Sequence, residues 1–134
     1  MVDGRLALAA QCEAAAVGSF YLNKAILQAL GYTWRGMGYW FRDDSHQWKG
    51  STQFTQSIDA ALTLVPEKFS TQMWLSLRCN EGKTHPPKVA IWSHNDGHLV
   101  RSRFNLEVTA ATPALALCAA ALRARTDQPP ESSL

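Results

Sequence analysis

Residues 73–104, MWLSLRCNEGKTHPPKVAIWSHNDGHLVRSRF, decide the fold class of this chain. The side chains over 73–79 and over 89–93 alternate with a period of two, which is typical of half-buried β-strands. A third stretch, 99–104, follows after a short polar turn. Because short turns join neighbouring antiparallel strands, the pattern predicts an antiparallel meander.

The segment 94–97, HNDG, sets the register that we predict for this meander. Its central Asn and Asp suit a type I turn, and its glycine suits the left-handed position of a G1 bulge. A three-residue loop of this kind would place Trp92 opposite Val100 and Ile91 opposite Arg101. The sequence therefore predicts a tight hairpin between the second and third strands.

Predicted helices both precede and follow the predicted sheet along the sequence. Three helix starts carry a capping hydroxyl, at Ser19, Ser57 and Thr112. The first two of these helices end at Gly31 and Pro66, residues that typically stop a helix. Because helices and strands do not alternate, we predict an α+β fold. It would have an antiparallel sheet of three to four strands flanked by helices, in an α/β/α-type sandwich.

The composition sets the class and the organisation of the chain. The 134 residues are 46% hydrophobic and 18% charged, with a net charge of +2, which excludes an intrinsically disordered chain. So small a charge argues against sequence-specific nucleic-acid binding, and no apolar run is long enough to predict a membrane partner. We divide the chain into an N-terminal helical extension (1–19), a single α+β sandwich domain (20–125) and a disordered tail (126–134).

Residues with catalytic or metal-binding chemistry are few. His94 and His98 could share one face of the predicted hairpin, but the sequence supplies no further ligand at a recognised spacing, so surface histidines are the simpler interpretation. Asp43 and Asp44 beside His46 could form an acid–base cluster, although adjacent carboxylates usually mark a solvated turn. No motif for nucleophilic catalysis occurs. We therefore predict a protein that is not an enzyme and needs no metal or cofactor.

Aromatic and basic residues are the more informative set. The segment 32–54 carries seven aromatic side chains, and residues 70–125 carry seven basic against three acidic residues. Arginine binds phosphate through paired hydrogen bonds, and large rings stack on bases. The sequence therefore predicts a ligand-binding site formed by Trp34, Tyr39, Trp40, Arg42, Arg101 and Arg103. The alternative is that the rings fill the core and the arginines only face solvent.

Two stretches carry a resemblance to a known family. QSIDAALTLVPEKF at 56–69 and ATPALALCAAALRAR at 111–125 resemble the helix motifs of the phage ABA-sandwich domain, and LNKAILQALG at 22–31 is similar to its first helix. The resemblance covers roughly 20–125. It implies helices around a short antiparallel sheet that contains tryptophan, and a phage or prophage protein in the cytoplasm of an infected or lysogenic bacterial host. It implies no enzymatic activity.

The family context and the residue chemistry together predict a function. The first hypothesis is a phage-encoded anti-defence protein that binds and sequesters a nucleotide-derived immune signalling molecule without chemistry. The alternative is a protein-interaction module that binds a host or phage protein through the aromatic segment 32–54. A homodimer or higher oligomer is also allowed for, since small ligand-enclosing domains often share a pocket across a two-fold axis.

Overall fold

The computed structural model describes residues 4–36, 39–43, 46–67, 69–74, 77–78, 84–93 and 105–127. Within these residues the chain forms four helices and eight short strands, paired antiparallel throughout. This confirms the α+β class and the antiparallel sheet that the sequence predicts.

The elements follow one another in a fixed order. They are α1 (Gly4–Ala14), α2 (Phe20–Ala29), β1 (Thr33–Trp34), β2 (Trp40–Asp43), β3 (His46–Gln47), α3 (Ile58–Leu62), β4 (Phe69–Trp74), β5 (Leu77–Arg78), β6 (Thr84–His85), β7 (Lys88–Ser93), β8 (Asn105–Thr109) and α4 (Pro113–Asp127). Strands β4, β7 and β8 form the larger sheet with β7 in the centre, whereas β1, β2 and β3 form a smaller one. Strands β5 and β6 pair with each other. Helix α4 runs two residues into the segment that we assigned to the tail.

The predicted register of the meander is wrong. Ile91 lies opposite Leu106 instead of Arg101, and Trp92 lies opposite Asn105 instead of Val100. The other edge of β7 is also occupied, because β4 pairs along its whole length. No edge of β7 is therefore left for the predicted partners.

Alternation alone could not identify the correct partner strand. The stretch 105–109 alternates polar and apolar side chains, but a period-two pattern marks a strand without saying which strand pairs with it. The predicted hairpin turn and the residues up to 104 lie outside the described residues.

Helix α4 is the centre of the core. Every residue from Ala114 to Leu122 is at most 5% exposed, so the helix is buried on all sides. One side lies on the larger sheet, against β7 and β8, and the others contact α1 and α3. A helix that is apolar all round is typical of such a central position, and its many alanines allow close approach of its neighbours.

The N-terminal extension contributes to this core. Leu8, Ala9 and Cys12 of α1 are buried, and α1 packs along α4 more extensively than any other pair of elements. Glu13 accepts two hydrogen bonds from the guanidinium of Arg123, at 2.8 and 2.9 Å. Of the predicted α/β/α arrangement, the described residues show one helical layer against the larger sheet, that of α4.

The predicted capping residues are confirmed. The capping hydroxyls accept hydrogen bonds from backbone N–H groups three residues on: Ser19 from Leu22 at 3.1 Å, Ser57 from Ala60 at 3.3 Å and Thr112 from Leu115 at 3.2 Å. Gly31 ends α2 with a positive φ of 94°. It donates to the carbonyl of Gln28 while Tyr32 donates to that of Leu27, which is the Schellman arrangement.

A buried polar network fixes the turn before α3 to the start of α2. The Asn23 side-chain oxygen accepts from the backbone N–H of Thr55 at 2.9 Å, and the Thr55 hydroxyl accepts from the Ser19 N–H at 2.9 Å. Gly18 lies so close that a Cβ there would overlap the Thr55 carbonyl oxygen. The two segments therefore hold each other in place without leaving these polar groups unpaired.

Candidate functional site

The smaller sheet follows directly from the end of α2. The left-handed Gly31 turns the chain into β1, and a second positive-φ glycine, Gly36 at 82°, begins the turn toward β2. Tyr39 donates to the carbonyl of Gly36, and Arg35 donates to that of Tyr39. We call the described residues of 32–48 the aromatic ribbon, because β1, β2 and β3 carry most of the rings predicted to bind.

Several of these rings are packing residues. Tyr32 meets Trp48 edge to face with ring centroids 5.5 Å apart, and Trp48 meets the fully buried Phe54 in the same way at 5.2 Å. Trp40 is only 8% exposed. Trp40 and Phe54 are buried, and Tyr32 and Trp48 pack against the core beside them, where edge-to-face aromatic contacts of this kind are stabilising.

Trp34 is different from its partner in the same ladder. It lies opposite Trp40 in the β1–β2 pairing, with ring centroids 5.4 Å apart, and yet it is 54% exposed. The buried Trp40 ring therefore supports one edge of Trp34 while much of the Trp34 ring faces solvent. An exposed ring that is held in position by a buried one is suited to stacking on a planar ligand.

Tyr39 belongs to a second aromatic group. It is 48% exposed and contacts Phe41 with centroids 6.5 Å apart, and the Arg35 guanidinium lies over the Phe41 ring at 4.8 Å. Successive residues of a strand face opposite sides, so Phe41 and the neighbouring Trp40 project to different faces of β2. The structure therefore divides the predicted rings of Tyr39 and Trp34 between two groups.

The predicted arginines have different outcomes. Arg42 is exposed on β2, and its Cγ is 3.9 Å from the position that a Cβ on Gly31 would take. It thus lies beside the turn that leads from α2 into β1. Arg101 and Arg103 lie outside the described residues, and the pairing that would have placed Arg101 beside β7 is wrong.

Two of the other basic residues that suggested an anion site have structural roles. The hydrogen bonds from Arg123 to Glu13 raise the pKa of the guanidinium, although its partial burial opposes this. Arg125 donates from Nε to the carbonyl of Leu64 at 2.8 Å. These two arginines therefore tie α4 to α1 and to the end of α3, and the basic excess of the C-terminal half overstates the charge available to a ligand.

The structure also shows a basic and aromatic cluster that the sequence pattern did not predict. The Lys88 ammonium lies 4.6 Å from the centre of the Trp74 ring and 3.5 Å from a carboxylate oxygen of Glu107. These residues lie on neighbouring strands of the larger sheet, and correct strand pairing would have brought them together. Because Glu107 already pairs with the cation, the cluster is less suited to an anionic ligand than the ribbon.

The candidate acid–base residues form a surface contact. His46 Nδ1 is 2.8 and 2.9 Å from the two carboxylate oxygens of Asp43, and both side chains are about half exposed. Asp44, His94 and His98 lie outside the described residues. In the part of the chain that the structure describes, no group of three or more His, Cys, Asp or Glu side chains could hold a metal ion.

The two described cysteines are buried thiols with little reactivity. Burial raises the pKa of Cys12 to about 12, with a smaller contribution from Glu13. Burial also raises the pKa of Cys118 well above its ordinary value, and Cys12 adds to that effect. The Cys118 thiol donates to the carbonyl of Phe54 at 3.1 Å. Since the thiolate is the nucleophile, these groups are unsuited to covalent chemistry at neutral pH.

No family model matches this chain, and no curated protein or solved structure has significant similarity to it. Among the described residues, no helix is both long enough and apolar enough to span a bilayer.

Proposed function

We propose that this protein binds a nucleotide-type ligand without chemistry, and that the aromatic ribbon is the binding site. The observation that carries the proposal is the Trp34–Trp40 pair, in which a buried ring supports one that is 54% exposed. Stacking on such a ring contributes about 1–3 kcal/mol per base, and any base can supply the planar surface. Trp34 is the residue that would contact the base.

An arginine of the same ribbon supplies the phosphate contact. Arg42 is exposed on β2, two residues from Trp40 and therefore on the same face as Trp40. A guanidinium forms short, charge-assisted hydrogen bonds with phosphate oxygens. The ring for the base and the cation for the phosphate therefore lie within one small sheet, whose position is fixed by the end of α2.

The biological role rests on the resemblance to the phage ABA-sandwich domain. In that context the protein acts in the cytoplasm of an infected or lysogenic bacterial host and sequesters a nucleotide-derived immune signalling molecule. Binding without turnover is consistent with the inert thiols of Cys12 and Cys118 and with the simple surface contact of Asp43 and His46. A small net charge of +2 favours a small anion over a long nucleic acid.

A protein partner is the second candidate for the same surface. The specific observation that favours it is the exposure of both Trp34 and Tyr39, since exposed aromatic and arginine side chains are typical of protein-binding hot spots. In that case the two aromatic groups of the ribbon would contact one extended protein surface instead of a small ligand.

Calorimetry against cyclic dinucleotides and ADP-ribose-type nucleotides tests the proposal. Trp34→Ala and Arg42→Ala should each weaken binding about tenfold or more, because stacking and charge-assisted hydrogen bonds contribute roughly 1–3 kcal/mol each. Trp34→Phe should retain most of the affinity because it keeps a ring. Lys24→Ala removes an exposed cation from α2, outside the ribbon, and should bind like the parent.

Two results would overturn the assignment. If a nucleotide binds and the Trp34 and Arg42 variants bind it as the parent does, the ribbon is not the site. If no nucleotide binds, and a protein of the bacterial host binds the parent but not Trp34→Ala, the protein-interaction function replaces the proposed one.

A further inference from the structure

Helix α1 has an unusual distribution of charge. Its two charged residues are Arg5 and Glu13. Arg5 donates to the carbonyl of Arg125, and Glu13 accepts two hydrogen bonds from Arg123, so both contact α4. A surface helix normally directs its charges to solvent and its apolar residues to the core. In α1 the charged groups are instead used against the neighbouring helix.

The exposed residues of α1 and of the segment after it, up to Tyr21, carry no charge. From position 4 to position 21, where every residue is described, the exposed residues are Gly4, Leu6, Ala7, Ala10, Gln11, Ala14, Ala16, Val17, Phe20 and Tyr21. We call this set the neutral face; the next exposed residue, Lys24 of α2, is basic and lies at its rim. Single exposed apolar residues are ordinary on a protein surface, but an apolar patch of more than a few hundred Å² with a polar rim is typical of an interaction surface.

We infer that the neutral face binds a second copy of this chain. In a two-fold dimer the same patch meets itself, so a charged patch would place like charges together and a neutral one would not. The small side chains of Ala7, Ala10 and Ala14 allow two helices to approach closely. The same property lets α1 pack along the alanine-rich α4 on its other side.

The available area is consistent with a dimer. Leu6, Val17, Phe20 and Tyr21 are 44%, 68%, 76% and 74% exposed. These four side chains offer on the order of 500 Å² of accessible surface, since one aromatic side chain alone can bury about 150–250 Å². The exposed alanines of the face add to this, which brings it near the roughly 800 Å² per chain of a standard interface.

Measuring the mass of the full chain in solution tests the inference. Analytical ultracentrifugation of the parent should give twice the 14.8 kDa of one chain. Ala7→Glu places a charge near the start of α1, where the helix dipole tolerates it, and a two-fold contact would bring two such carboxylates together. This variant, and separately Phe20→Ser with Tyr21→Ser, should sediment as a single chain.

The matched control is Ala111→Glu, which introduces the same side chain at an exposed alanine outside the neutral face and should remain dimeric. Circular dichroism should show that all variants keep the helical content of the parent. A parent that sediments as one chain at high micromolar concentration would overturn the inference. So would a dimer that both face variants leave intact, because the contact would then lie elsewhere.

Discussion

Helix α4 and the aromatic ribbon use apolar residues in opposite ways. Every side chain from Ala114 to Leu122 is buried, whereas two tryptophans paired in one ladder of the ribbon, Trp34 and Trp40, are 54% and 8% exposed. The helix is enclosed by its neighbours on every side, whereas the ribbon carries Trp40 on its central strand β2 and Trp34 on its edge strand β1. Substitutions in the helix should therefore affect folding, and substitutions on the outer ribbon should affect binding.

A large effect is expected from truncating a buried side chain of α4. Leu122→Ala should reduce the free energy of unfolding by about 2–5 kcal/mol, because Leu122 is fully buried and its truncation leaves a cavity. Urea unfolding followed by circular dichroism gives the value. A loss below about 1 kcal/mol would show that α4 is not enclosed by its neighbours, and the contrast with the ribbon would fail.

Gly18 tests the junction between the start of α2 and the turn before α3. Gly18→Ala should cost about 1–3 kcal/mol, because the added methyl group would overlap the Thr55 carbonyl and force the two segments apart. Gly4→Ala is the matched control, since a Cβ at Gly4 meets nothing within 4 Å. Thermal unfolding of the two variants should differ clearly. Equal melting temperatures would mean that the segments do not approach this closely.

The buried thiols should contribute to a loss of stability at alkaline pH, and this contribution arises in the core. Burial raises the pKa of Cys12 from 9.0 to about 12, so above pH 9 the unfolded chain loses a proton that the folded protein retains. Stability is then complete below pH 9 and falls by about 1.4 kcal/mol per pH unit as the pH approaches 12.

Cys12→Ala isolates the contribution of this thiol from those of the other groups of the chain. Urea midpoints measured at pH 8 and at more alkaline pH should decrease less steeply in the variant than in the parent. Parallel pH profiles for the two proteins would contradict the raised pKa.

The cap of α4 should contribute less than its core residues. Thr112→Ala should cost about 1 kcal/mol, because it removes the hydrogen bond from the Leu115 N–H to the Thr112 hydroxyl. Thr112→Ser keeps that acceptor and should lose little. Denaturant midpoints that place the cap variant below Leu122→Ala in stability would contradict this order, and a Thr112→Ala variant as stable as the parent would show that Thr112 does not cap the helix.

The smallest effect on stability is expected on the exposed side of the ribbon. Trp34→Ala should cost only about 0.5–1.5 kcal/mol, the contribution of its edge-to-face contact with Trp40. Trp40→Ala, at a buried ring of the same ladder, should cost about 3–5 kcal/mol. Differential scanning calorimetry of the pair measures the contrast directly. Comparable losses would mean that both rings belong to the core, and the proposed binding site would lose its main support.

The sequence alone predicted those features that depend on residues close together in the chain. Ser19, Ser57 and Thr112 cap helices as predicted, because a capping hydroxyl acts on a backbone group only three residues away. The partner of β7 could not be predicted in this way, since strand pairing depends on contacts between distant segments. The α+β class survives such an error because it depends on which elements exist and not on how each strand is paired.

The candidate site was predictable only in part. The aromatic segment was recognisable from its composition, but composition could not separate the exposed Trp34 from the buried Trp40, two residues of the same type. Because the two rings are cross-strand partners on one face, the difference follows the position of their strands: β2 is the central strand of the smaller sheet and β1 is an edge strand. The structural roles of Arg123 and Arg125 were equally hidden, because their partners lie 110 and 61 positions away in the chain.

The contact between α1 and α4 has a consequence for the kinetics of folding. Glu13 and Arg123 are 110 positions apart, and among the described helices and strands α1 and α4 form the most extensive contact. Closing so long a loop carries an entropic cost that must be met before the contact can stabilise anything, and such non-local contacts slow folding. During synthesis on the ribosome, α1 and the larger sheet are made before α4, and they cannot bury their apolar sides against α4 until that helix is complete. Chains interrupted before residue 113 would expose these surfaces and should be prone to aggregation.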